Sequence, residues 1–136
     1  MEFTGMRLLI LEDEYLIGLD LERIAEECGA QSVHLATTIV ELQAWIGNHP
    51  KCDLAILELQ AHGASSLAVA AILQRRGVPI VFTTAYERGA DEGVPGFPGA
   101  PIVGKPYGKM QIVKAAMIAL AKTPSSSGDG PSSELV

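Results

Sequence analysis

Leu8-Leu9-Ile10-Leu11-Glu12-Asp13-Glu14 is the stretch that sets the fold class. Four apolar residues run without alternation and stop abruptly at three carboxylates. A strand with one wet face alternates apolar and polar residues, whereas a strand covered on both faces is apolar throughout. The run therefore predicts a short strand inside a parallel sheet, with a polar cluster at its carboxyl end. The theme recurs at Val33–Ala36, Leu54-Ala55-Ile56-Leu57, Ile80-Val81-Phe82 and Pro101-Ile102-Val103.

Helical spacing separates these runs. Residues 14–28 place Ile17, Leu21, Ile24 and Cys28 on one stripe, and Gly29 is a helix stop. Thr38-Ile39-Val40-Glu41 reads as a capping box opening a second helix that buries Leu42, Trp45 and Ile46, with Pro50 beyond its end. A polar loop, Gln60 to Ser66, leads to a third helix ending at Arg75-Arg76-Gly77. The last helix covers 109–122, with Met110, Val113, Met117 and Leu120 on its stripe and Ile112 and Ile118 off it. Tyr86 to Ala100 should hold the fourth helix. Gly89, Gly93, Pro95, Gly96, Pro98 and Gly99 leave room for about one turn there. The expected architecture is a three-layered α/β fold, a flavodoxin-like, doubly wound, five-stranded parallel sheet of order 2-1-3-4-5 with a degraded fourth helix. Residues 1–5 read as an N-terminal extension, 6–122 as the domain, and the Ser/Gly/Pro-rich 123–136 as a disordered tail.

Bulk composition narrows the function classes. A chain of 136 residues that is 48% hydrophobic builds one core without disulfide or metal support. Its net charge of −6 argues against wrapping nucleic acid, which needs a basic face. Cys28 and Cys52 fit no zinc or redox spacing, and His34, His49 and His62 form no ligand cluster, so no transition metal is assigned. No segment has the pattern of a secretion signal or the length of a membrane span, and a cytoplasmic location is expected.

In parallel sheets of this kind, sites form outside the carboxyl ends of the strands. Those ends are Glu12-Asp13-Glu14, Glu58, Thr83-Thr84-Ala85 and Gly104-Lys105-Pro106-Tyr107. They converge to put carboxylates, a hydroxyl and an ammonium in one cleft. Clustered carboxylates repel unless a cation neutralises them, and Mg²⁺ is the usual hard ion for oxygen ligands.

With Glu12 and Asp13 before the first helix, Thr84-Ala85 after the fourth strand and Lys105-Pro106-Tyr107 after the fifth, the chain resembles the receiver domains of two-component response regulators. The resemblance spans about residues 6–122. It implies that Glu12, Asp13 and the Gln60 backbone carbonyl hold Mg²⁺, that Thr84 and Lys105 bind phosphoryl oxygens with Ala85 beside them, and that the Lys105–Pro106 bond is cis. Two positions depart from the pattern. Glu58 stands where the family has its phosphoacceptor aspartate, and Ile102 stands where it has a switch aromatic. Phe82-Thr83-Thr84-Ala85-Tyr86 also partly resembles a receiver subgroup with a Phe-Ala-Thr-Gly motif and a poorly formed fourth helix.

A glutamate carries its carboxylate about 1.5 Å further out than an aspartate. Phosphoryl transfer depends on positioning at that scale, so Glu58 is expected to be a poor acceptor. Three readings stand: a domain that works without phosphorylation, a lesion without signalling meaning, and an acceptor served by an adjusted backbone. The leading function is a stand-alone, non-enzymatic signalling module acting through protein contacts. Its partner would be a histidine kinase or downstream effector, or a second copy through the face of helix four, strand five and helix five. The alternative is a phosphoryl-accepting regulator in a phosphorelay. A flavin protein would need a phosphate loop where the chain has Glu12-Asp13-Glu14, and is set aside. Mg²⁺ is expected to bind weakly.

Overall fold

The computed structural model describes residues 1–48, 51–85 and 93–122. Strand β1 (Arg7–Leu11) is followed by α1 (Tyr15–Glu27), β2 (Ser32–Ala36), α2 (Ile39–Asn48) and β3 (Leu54–Glu58). Then come a small hairpin of β4 (Gln60–Ala61) and β5 (Ala64–Ser65), α3 (Leu67–Arg75), β6 (Ile80–Thr84), β7 (Ile102–Gly104) and α4 (Lys109–Lys122). The main sheet is parallel, with order β2-β1-β3-β6-β7. Apart from the added hairpin, this is the expected order.

The unbroken apolar runs have their physical reason in the two cores. Leu9, Leu11, Ala55, Leu57, Ile80 and Phe82 face Leu42 and Ile46 of α2 and Val69, Ala70 and Leu73 of α3. Their alternate neighbours Leu8, Ile10, Leu54, Ile56 and Val81 face Leu21, Ile24 and Ala25 of α1 and Ile112, Ala115, Ala116 and Ala119 of α4. Each fully buried Leu or Ile contributes about 1.5–3 kcal/mol. Alternation would leave one core unfilled.

Four local features differ from the sequence expectations. Gln60 to Ser66 is a tight antiparallel hairpin rather than a plain loop; His62 (φ 51°) and Gly63 (φ 78°) make its turn. The buried face of α4 is Ile112, Ala115, Ala116 and Ala119, whereas Met110 is 86% exposed and Met117 42%. Small residues allow α4 to lie close on the sheet, so the longer methionines fall outside. Phe3 is fully buried, its N–H donating to the Cys28 carbonyl, so this one residue of the N-terminal segment joins the second core. In the capping box the Glu41 N–H donates to Thr38 Oγ1, while the Glu41 carboxylate accepts from the N–H of Thr37 rather than of Thr38.

Of the weak fourth-helix segment, residues 86–92 lie outside the described residues. Residues 93–100 form tight turns with a bridge between Val94 and Phe97. Both side chains are buried, and Phe97 meets Phe82 edge-on at a centroid distance of 5.2 Å. Both belong to the first core, with Phe97 packed against β6.

Candidate functional site

Four neighbouring strand ends build the site. Glu12 follows β1 directly and stays in register because its N–H donates to the Ala36 carbonyl. Glu58 is the last residue of β3 and lies opposite Thr83 of β6. Lys105 follows β7; its N–H donates to the Thr84 carbonyl, and its peptide bond to Pro106 is cis, as the resemblance implies. Parallel pairing thus brings side chains from positions 12 to 105 of the sequence to a single pole.

Lys105 sits at the centre of this pole. Its Nζ lies 2.7 Å from Glu58 Oε1, 2.8 Å from Glu12 Oε2 and 3.4 Å from Glu14 Oε1. An ammonium has three N–H donors, and three carboxylates surround this one. Glu12 is completely buried, Glu58 is 3% exposed, and the Lys105 side chain is 10% exposed. Thr83 Oγ1 lies 3.5 Å from Glu58 Oε1, at the limit of a hydrogen bond. Asp13 Oδ2 accepts the N–H of His62 at 2.8 Å, which ties the hairpin to the site. Thr84 is buried at the end of β6, and Ala85 is an exposed bend just after it. Gln60 is exposed at the start of the hairpin, opposite Ser65.

Burial and crowding set the charges. Loss of water raises the Glu58 carboxyl to about 7; Lys105 pulls it down, and the Glu12 charge pushes it up further. Glu12 is raised by burial against the opposing pull of Lys105. Burial disfavours the Lys105 ammonium, but its bonds to Glu12 and Glu58 outweigh this and hold it firmly charged. Asp13 is lowered: the His62 N–H and the Lys105 charge overcome a partial loss of water. The Tyr107 phenol is held protonated by burial and by the charges of Glu12 and Glu58.

Glu12, Asp13 and Glu58 each present an oxygen, and these three oxygens lie within 4.8 Å of one another. Such an all-oxygen set fits a hard divalent cation such as Mg²⁺. Glu12 Oε1 adds a buried acceptor with no hydrogen-bond partner. The Lys105 ammonium competes for the same space, because it already contacts two of the three carboxylates.

Sequence reasoning placed Glu12, Asp13, Glu58, Thr84 and Lys105 at one pole, and the structure brings them there. It did not anticipate Glu14 as a third neighbour of Lys105, the Thr83 hydroxyl 3.5 Å from Glu58, or the His62 N–H on Asp13. Glu14 was visible in the acidic triplet. The Thr83 contact depends on strand register, and the His62 contact on the hairpin.

No family model matches the chain. It is 37% identical over 81 residues to the phyllosphere-induced regulator PhyR of Methylorubrum extorquens. That match covers 58% of this chain and 30% of the regulator, so the chain spans under a third of its curated relative. The PhyR response regulator REC domain of Erythrobacter litoralis superposes with a TM-score of 0.72 at 28% identity, covering 92% of this chain and 97% of that one. SdrG of Sphingomonas melonis superposes with a TM-score of 0.67 at 30% identity, covering 89% of this chain and 98% of that one. With the parallel sheet and the acidic pole in place beside these likenesses, the chain belongs to the response-regulator receiver-domain family.

Proposed function

We propose that this receiver, residues 6–122, signals through protein contacts without accepting a phosphoryl group. The observation that carries this reading is the 2.7 Å pairing of Lys105 Nζ with Glu58 Oε1. The lysine expected to meet a phosphoryl oxygen is already engaged by an internal carboxylate, with Glu12 on its other side. A carboxylate carries less charge and fewer acceptor oxygens than a phosphoryl group, so Glu58 mimics phosphorylation only in part. Thr84 and Ala85 complete the pole, and Glu12, Asp13 and the Gln60 carbonyl hold Mg²⁺ weakly beside it. The module works in the cytoplasm and is not an enzyme. Its partner is a histidine kinase, a downstream effector or a second copy. The docking face is residues 93–100, β7 and α4, where Met110, Met117 and Ile118 are exposed.

The retained Asp13, Thr84 and Lys105 favour a second reading, a phosphoryl-accepting regulator in a phosphorelay. Incubation with acetyl phosphate and Mg²⁺, followed by intact mass, separates the two. The proposal expects no mass gain for the native chain and a phosphoryl adduct for Glu58→Asp. A native adduct that disappears in Glu58→Gln would establish the second reading.

A further inference from the structure

Glu12 is completely buried, and its two oxygens are served unequally. Oε2 accepts from Lys105 Nζ at 2.8 Å and from the Glu14 N–H at 3.0 Å. Oε1 is buried with no hydrogen-bond partner. A bare buried acceptor has lost the hydrogen bonds that water gave it, so folded proteins seldom leave one. Asp13 beside it offers no donor, because its own carboxyl is held below the ordinary value and carries no proton at neutral pH.

Tyr107 has the complementary defect. It lies two residues after Lys105, and its half-buried ring packs against the second core. Its hydroxyl is buried and likewise has no hydrogen-bond partner. Burial first, then the charges of Glu12, Glu58 and Asp20, hold the phenol protonated, and the Glu12 carboxylate acts on it as an acceptor as well. One group has a proton to give, and the other has an oxygen to receive it. They meet at the same pole, short of full hydrogen-bond geometry.

We propose that Tyr107 is a positioning residue for Glu12: its hydroxyl donates to Glu12 Oε1 and so keeps Oε2 turned toward Lys105. The last torsion of a glutamate is broad and soft, and an anchor on one oxygen fixes it. Lys105 then keeps two anionic partners, Glu12 on one side and Glu58 on the other. A phenylalanine at this position would fill the same space and supply no anchor. The inference rests on the reading that internal carboxylates hold Lys105.

The test is NMR on the full chain, with neither phosphodonor nor Mg²⁺ present. The Tyr107 hydroxyl proton should give a slowly exchanging signal that disappears in Tyr107→Phe and shifts in Glu12→Gln. Phenylalanine keeps the ring and its packing, so Tyr107→Phe should retain the native circular dichroism. In that variant the Glu12 carboxyl carbon and the Lys105 Nζ should both shift. Tyr15→Phe, a change at an exposed ring, should move neither. A Tyr107 hydroxyl in fast exchange with water, or unchanged Glu12 and Lys105 signals in a folded Tyr107→Phe chain, would overturn the proposal. An acetyl phosphate adduct on the native chain, with the hydroxyl signal intact, would refute the phosphorylation-independent reading and leave the Tyr107 anchor standing.

Discussion

Glu58 is the residue on which the proposed function turns. Its carboxylate reaches the Lys105 ammonium at 2.7 Å while Glu12 holds the other side at 2.8 Å. The same reach has consequences for metal binding. The Glu58 charge attracts a cation, but the side chain and its paired lysine occupy coordination space. Mg²⁺ requires near-ideal octahedral geometry, so the geometric effect should outweigh the added charge. NMR shift titration with Mg²⁺ is expected to show weaker binding by the native chain than by Glu58→Asp, by about tenfold, or about 1.4 kcal/mol. Equal or tighter binding by the native form would make Glu58 a competent ligand.

At the scale of elements, α4 shows how periodicity alone misassigns a face. Met110, Val113, Met117 and Leu120 form an apolar series at helical spacing. The sheet buries Ile112, Ala115, Ala116 and Ala119, Val113 and Leu120 pack half-buried against the same core, and the two methionines stay exposed. Close approach of helix to sheet favours alanines, and hydrophobic scales rank them below methionine. The distinction is measurable by urea unfolding. Ile112→Ala should cost about 2–5 kcal/mol, since Ile112 is 1% exposed. Met110→Ala should stay within about 0.5 kcal/mol, since Met110 is 86% exposed. A reversed order would restore the methionine stripe as the packed face. Residues 93–100 make the converse point: turns punctuated by glycine and proline still bury Val94 and Phe97.

For the whole molecule, the buried pole links stability to pH. The Glu58 carboxyl is raised from 4.5 to about 7, so between those values the folded chain binds more protons than the unfolded chain. Stability from this group is therefore fully present below pH 4.5 and is lost as pH rises through 7. Glu12 acts in the same direction. Asp13, lowered, acts oppositely, but only as pH falls below its ordinary value of 3.8. The native chain should thus lose roughly 1 to 3 kcal/mol between pH 5 and 8 from Glu58. Thermal melts across that range should show the decline, and Glu58→Gln should flatten it. A native melting temperature that rises from pH 5 to pH 8 would contradict the assignment.

The sheet and its pole were legible in the sequence because parallel strands buried on both faces must be apolar throughout, and because their carboxyl ends must meet. Leu8–Leu11 and Leu54–Leu57 determined the layers, and Glu12, Glu58, Thr84 and Lys105 followed as the strand-end residues. Three-dimensional packing decided the rest. Which carboxylates share the Lys105 ammonium depends on register and side-chain reach across three strands. The hairpin that brings the His62 N–H to Asp13 depends on positive φ at two residues. The stacking of the His34 and Trp45 rings depends on α2 crossing over β2. None of these is a periodic property of the chain, since each is fixed by distances between segments that only the folded sheet brings together.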